Sequence, residues 1–233
     1  MTSLLDEPGV ATQLARLHSL SNRQAHFSLP LQYIRRRVRG LLTRKPMDWD
    51  RAGPRKFLSD KLVALDPDKA RLCYLLCRGK GASRVVEVGT SFGVSTIYLA
   101  AAVRESVERN GGAGMVIGTE WESSKVTAAL DNLRAAGLGD IVEIREGDVR
   151  ETLTDVGGPV DFVLMDIWAP MARPALELLL PQLRPGAVVA CDNVTGFRRD
   201  YRDYLALVRD PMSGFQSITL PLKGGFELSV WLP

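Results

Sequence analysis

Histidine and cysteine are scarce: of 233 residues, two are histidine and three are cysteine. Cys73, Cys77 and Cys191 form an odd set. The first two lie four apart in a helical pattern, with no second pair or nearby histidine to complete a zinc site. They read as buried thiols, consistent with a reducing cytoplasm. No apolar run approaches the roughly 18 residues of a membrane-spanning helix, and Met1 to Val10 is mixed and acidic, unlike a secretory leader. Aromatic residues make up 7% of the chain, and none forms a series among the arginines that would stack nucleobases, so nucleic acid is not an expected partner. His18 and His26 read as surface residues, reaching a site only if the N-terminal segment folds over it.

What is present is ordinary in amount and uneven in place. Hydrophobic residues at 45% and charged residues at 24% suit a globular chain with one substantial core. Residues 1–56 carry eleven Lys or Arg against four Asp or Glu, whereas residues 57–233 carry nineteen against twenty-three. The excess gathers in Arg35, Arg36, Arg37, Arg39, Arg44 and Lys45, interleaved with Leu29, Leu31, Ile34, Val38, Leu41 and Leu42. A basic amphipathic helix is expected there, making residues 1–56 an extension to a domain over 57–233. A solvated helix packed by its apolar side, a lid, a clamp on an anionic substrate, and contact with an anionic carrier or membrane surface are all open readings.

From residue 67 onward the chain alternates. Helices are predicted over 67–78, 94–109, 122–136, 149–154, 173–183 and 198–209. Strands are predicted over 84–88, 115–119, 141–145, 160–165, 187–191, 215–220 and 226–232, the last two joined as a hairpin at Lys223-Gly224-Gly225. This predicts an α/β, Rossmann-like, mostly parallel sheet of seven strands with helices on both faces and an antiparallel C-terminal hairpin.

The run Arg84-Val85-Val86-Glu87-Val88-Gly89-Thr90-Ser91-Phe92-Gly93-Val94-Ser95 is a buried strand, a turn on two glycines and a helix start. Such a junction presents free N–H groups to a nucleotide-like ligand at the carboxyl edge of a parallel sheet. Acidic residues follow the other strands: Glu120-Trp121, Glu146-Gly147-Asp148, Asp166-Ile167-Trp168 and Asp192-Asn193. In a parallel sheet these converge on the glycine turn. Any one could instead cap the helix after it. An acid after the second strand suits ribose hydroxyls, and an aromatic beside it can cover an adenine.

Together, Val86 to Ser95, Glu120, Gly147, Asp166 and Asp192-Asn193 resemble a class I S-adenosylmethionine-dependent O-methyltransferase, most similar to the catechol and caffeoyl-CoA O-methyltransferases. The resemblance runs from about Pro67 to the end. It implies that Glu87, Gly89, Ser91 and Ser95 cradle the methionine part of the cofactor and that Glu120 holds the ribose. It also implies that Trp121 and Trp168 flank the adenine, with Gly147 and Asp148 close by and Asp166 bordering both cofactor and acceptor. A Mg²⁺-type ion on Asp166, Asp192 and Asn193 is implied as well, and hard oxygen ligands suit such a cation. The other reading places Asp166 on the cofactor side and makes Asp192-Asn193 the start of a loop.

The chain departs from that pattern at Ala169, where the family has a lysine base three residues after the first metal-binding aspartate. Glu227 falls where catechol O-methyltransferase has a substrate-contacting glutamate, implying a catalytic role beside Asp166 in orienting a hydroxyl; an exposed strand glutamate is the alternative. A nicotinamide dehydrogenase would show G-x-G-x-x-G, and a nucleic-acid amino-methyltransferase an Asn-Pro-Pro-Tyr type motif; neither is present. A non-catalytic cofactor-binding protein is the remaining competitor. The expectation is a cytoplasmic enzyme acting on a small-molecule hydroxyl, with a homodimer suggested by the relatives.

Overall fold

The computed structural model describes residues 3–27 and 61–233. The expected basic helix around Arg35 to Lys45 lies outside the described residues, as does the side chain of His26.

Seven strands form one sheet: β1 (Arg84–Val88), β2 (Met115–Glu120), β3 (Val142–Glu146), β4 (Val160–Met165), β5 (Leu183–Asp192), β6 (Phe215–Leu220) and β7 (Phe226–Trp231). Their order is β3-β2-β1-β4-β5-β7-β6. Strands β1 to β5 pair in parallel, and β7 inserts antiparallel between β5 and β6. Order reverses between β1 and β4, the switch point where open α/β sheets bind ligands.

The helices are α1 (Pro8–Phe27), α2 (Pro67–Lys80), α3 (Val94–Asn110), α4 (Ser123–Ala135), α5 (Val149–Thr152), α6 (Ala169–Leu179) and α7 (Arg202–Arg209). Asp66 caps α2 through the Asp68 amide, Pro67 opens its first turn, and left-handed Gly81 closes it. Buried residues of α1 to α4, among them Leu17, Cys73, Leu99 and Leu133, pack with Val85 and Phe162 on one face. Val149 of α5, Leu176 of α6 and Tyr204 of α7 pack with Val86, Val163 and Cys191 on the other. Both faces of the central strands are thus covered, which is why β4 reads Val-Asp-Phe-Val-Leu-Met with every position buried. Helix α1 joins this core through Val10, Leu14 and Leu17.

Several boundaries differ from the sequence reading, and three starts move by four residues. Strand β5 begins at Leu183, not 187, and runs through Pro185-Gly186 with a register irregularity against β4. Pro185 is tolerated because pairing lapses there. Helix α6 begins at Ala169, not 173, since Pro170 fits a first turn whose amides have no intrahelical partner. Helix α7 starts at Arg202; turns occupy the preceding residues, where Thr195 and Gly196 amides both donate to the Gly224 carbonyl.

Candidate active site at the carboxyl edge of the sheet

Register alone lines up the candidate residues. Thr119, Val88, Met165 and Cys191 are level across β2, β1, β4 and β5. The next residue in each strand therefore stands at the rim: Glu120, Gly89, Asp166 and Asp192. Backbone bonds continue the row beyond the strands, with Asp166 N donating 3.0 Å to Val88 O and Gly147 N donating 2.9 Å to Glu120 O.

Gly89 has φ +99°, and a Cβ there would stand 2.1 Å from the Asp166 carbonyl oxygen, so only glycine fits. The turn is held from β2. Glu120 Oε2 accepts the Ser91 amide at 2.8 Å, and Oε1 accepts the amides of Trp121 and Glu122 at 2.8 and 2.9 Å. Ser91 itself sits at φ +50°, a region that costs an L-residue about 1–2 kcal/mol. Such strain gathers where neighbours over-determine the backbone, often at functional sites. Gly118 of β2 makes room beneath: a Cβ there would meet Thr90 Oγ1 at 2.3 Å.

Above the turn lies a narrow cleft, lined by Gly89, Ser91, Phe92, Ser95 and Asp166 on one side and Leu62 to Leu65 on the other. Glu87 lies fully buried under the helix start. The Thr96 hydroxyl donates to its Oε2, while Oε1 has no hydrogen-bond partner among the described residues. Burial raises its pKa to about 7, against the pull of the Ser95, Thr96 and Thr90 hydroxyls.

Beside the cleft stands a second acidic group. Burial first, then the charges of Asp192 and Glu87, push the half-buried Asp166 carboxyl up to about 8, with Lys69 opposing. Asp192 is raised too, mainly by burial, with Lys69 pulling back. Its Oδ1 accepts the Lys69 ammonium and the Asn193 amide, and its Oδ2 accepts Asn193 Nδ2 at 3.1 Å. Asn193 is in the left-handed region at φ +62°. Lys69 also donates to the Lys223 carbonyl and lies 5.7 Å from the centre of the Phe226 ring.

Lys69, 2% exposed, was not among the sequence candidates. A signal existed: it stands four and eight residues before buried Cys73 and Cys77, so helical period puts it on the inner face.

Other candidates scatter. Asp148 accepts the Arg150 amide as the cap of α5 and pairs with the Arg150 guanidinium. Trp121 is 52% exposed and Trp168 half-buried at the start of α6; neither lines the cleft. His18 is half-buried, not a surface residue: its Nε2 lies 3.1 Å from the Tyr98 hydroxyl, and burial lowers its pKa.

Glu227 is fully buried rather than exposed. It is the register partner of Cys191, so the two-residue alternation sends it to the α7 face, away from Asp192. There both its oxygens accept from Arg209, and Ser217 and Thr219 donate to it as well. Despite burial these bonds lower its pKa. The structure does not bring it to the acidic group.

Among the described residues no three His, Cys, Asp or Glu side chains are placed to hold a metal. Asp166 and Asp192 would need Asn193 as the third ligand. Burial and the neighbouring Asp192 and Glu87 charges raise Asp166, and the Lys69 ammonium opposes them. Carboxylate and amide oxygens are the donors a hard divalent ion takes. The donor types match the ion that the resemblance implies, while Asp192 already holds the Lys69 ammonium on Oδ1 and the Asn193 side-chain amide on Oδ2.

Residues 86–194 match the family model of a methyltransferase domain. A catechol O-methyltransferase of Mycobacterium tuberculosis is 33% identical over 133 residues, which is 57% of this chain and 57% of that protein. The chain thus spans little more than half the length of this relative. Among solved structures, the O-methyltransferase TomG from Streptomyces achromogenes in complex with SAM superposes with TM-score 0.66 at 25% identity, covering 84% of this chain and 96% of that one. An O-methyltransferase from Bacillus cereus in complex with SAH gives 0.63 at 25% identity, over 72% and 82%.

Proposed function

We propose that this chain, a methyltransferase-domain protein related to the catechol O-methyltransferases, moves a methyl group from S-adenosylmethionine to a hydroxyl of a small-molecule acceptor. The observation that carries the reading is the Glu120 to Ser91 link. It joins the acid after β2 to the glycine turn at the switch point of the sheet, facing the cleft.

S-adenosylmethionine would supply an electrophilic methyl group on a sulfonium. Gly89, Ser91 and Ser95 would hold its amino-acid end along the turn, and Glu87, buried beneath the cleft lining, would offer its unpartnered Oε1 to the charged amine. Glu120, whose oxygens still have lone pairs beyond their three amide bonds, would take the ribose hydroxyls. Leu62 and Leu65, both buried, give the far wall an apolar lining.

Asp166, Asp192 and Asn193 would hold a divalent ion, which would lower the pKa of an acceptor hydroxyl. Lys69 holds Asp192 through its Oδ1. Ala169 leaves no side-chain base where the family has lysine, so the chain contributes mainly by aligning donor and acceptor.

The experiment is methyl transfer from labelled S-adenosylmethionine to a panel of catechols and related phenols, with Mg²⁺ and with a chelator. Metal-stimulated O-methylation of one class supports the reading. Donor binding without transfer to any acceptor would leave a non-catalytic binding protein instead.

A further inference from the structure

Helix α1 reaches both walls of the cleft. Toward the glycine turn, Gln13 Nε2 and Arg16 Nη2 donate to Asn132 Oδ1 of α4 at 2.9 and 2.7 Å, and Asn132 Nδ2 donates 2.9 Å to the Phe92 carbonyl. Toward the opposite wall, Gln24 Oε1 accepts the Leu62 amide at 2.8 Å and Ser21 Oγ accepts the Ala64 amide at 3.1 Å. Phe92, Leu62 and Ala64 all line the cleft.

Positions 13, 16, 21 and 24 run along one helical stripe, beside Leu14 and Leu17, which anchor α1 to the core. Gln13, Ser21 and Asn132 are buried. Apolar side chains would attach the helix as well without the cost of desolvating polar groups. Hydrogen bonds add direction, and they fix a carbonyl one residue from strained Ser91 and two amides of a segment that belongs to no helix or strand.

We propose that α1 is a positioning clamp for the cleft: Asn132, loaded by Gln13 and Arg16, sets the glycine turn, while Ser21 and Gln24 set the facing wall. Donor affinity is thereby fixed from outside the residues that touch the donor. This inference rests on the reading of the cleft as the donor site.

The test is calorimetric titration of the full chain with S-adenosylhomocysteine, beside thermal unfolding of the unliganded protein and steady-state kinetics. Asn132→Asp keeps an acceptor for Gln13 and Arg16 and replaces the donor to Phe92 with a carboxylate oxygen that repels its carbonyl. Ser21→Ala with Gln24→Leu releases the other wall, and serves if the first variant does not fold. Each is expected to weaken binding roughly tenfold, about 1.4 kcal/mol, raising KM for the donor with kcat nearly unchanged. Unchanged affinity with only a lower unfolding temperature would make the stripe purely structural and overturn the inference. Wild-type protein that fails to bind would remove the donor-site reading and the clamp with it.

Discussion

Lys69 of α2 donates its ammonium to Asp192 at the end of β5, 123 residues further along the chain, with the pair almost wholly out of water. This bond ties the helix before the glycine turn to the strand end that would carry the acceptor side of the site.

Removing one partner of such a pair strands the other charge. Lys69→Met is expected to destabilise the protein by about 3–5 kcal/mol in urea unfolding near neutral pH. Adding Asp192→Asn should recover most of that loss, because a neutral amide needs no counter-charge. A single variant as stable as wild type would show the pair to be unimportant.

Stability should also depend on pH through Glu87. Its carboxyl is raised from 4.5 to about 7 in the fold, so the folded state holds a proton that the unfolded chain releases. The contribution is fully present below pH 4.5 and is lost as pH rises through about 7. Unfolding of the unliganded protein at a series of pH values should show Glu87→Gln losing less stability than wild type between pH 5 and pH 8, by on the order of a few kcal/mol. Parallel pH curves would count against a protonated Glu87.

Asp166→Ala should leave the fold intact, since the side chain is half-buried and beyond the last paired residue of β4. Stimulation by Mg²⁺ should disappear while binding of S-adenosylhomocysteine persists. The opposite outcome, binding lost and metal response kept, would move Asp166 wholly to the donor side.

How much of this was legible in the sequence depends on whether neighbours in the chain or distant partners decide a residue's place. The branched run of β1, the bounds of β4 and the two hairpin strands follow from local composition, and the rim of Glu120, Gly89, Asp166 and Asp192 follows from parallel register. Lys69 and Asn132 were missed because their partners lie far along the chain and neither residue type announces burial. Asp148 behaves as a cap, the plainer of its two readings. Glu227 shows the limit of matching by position: one step along β7 separates the two faces of the sheet, and a fold with Arg209, Ser217 and Thr219 on its side uses the carboxylate to bind α7.

The most direct measurement is the affinity of the wild-type chain and of Glu120→Ala for S-adenosylhomocysteine by titration calorimetry. Saturable binding by the wild type, weakened at least roughly tenfold in the variant (about 1.4 kcal/mol), is the expected result. Absence of binding by the wild type, or equal binding by both proteins, would contradict the placement of the methyl donor at the β1–β2 rim.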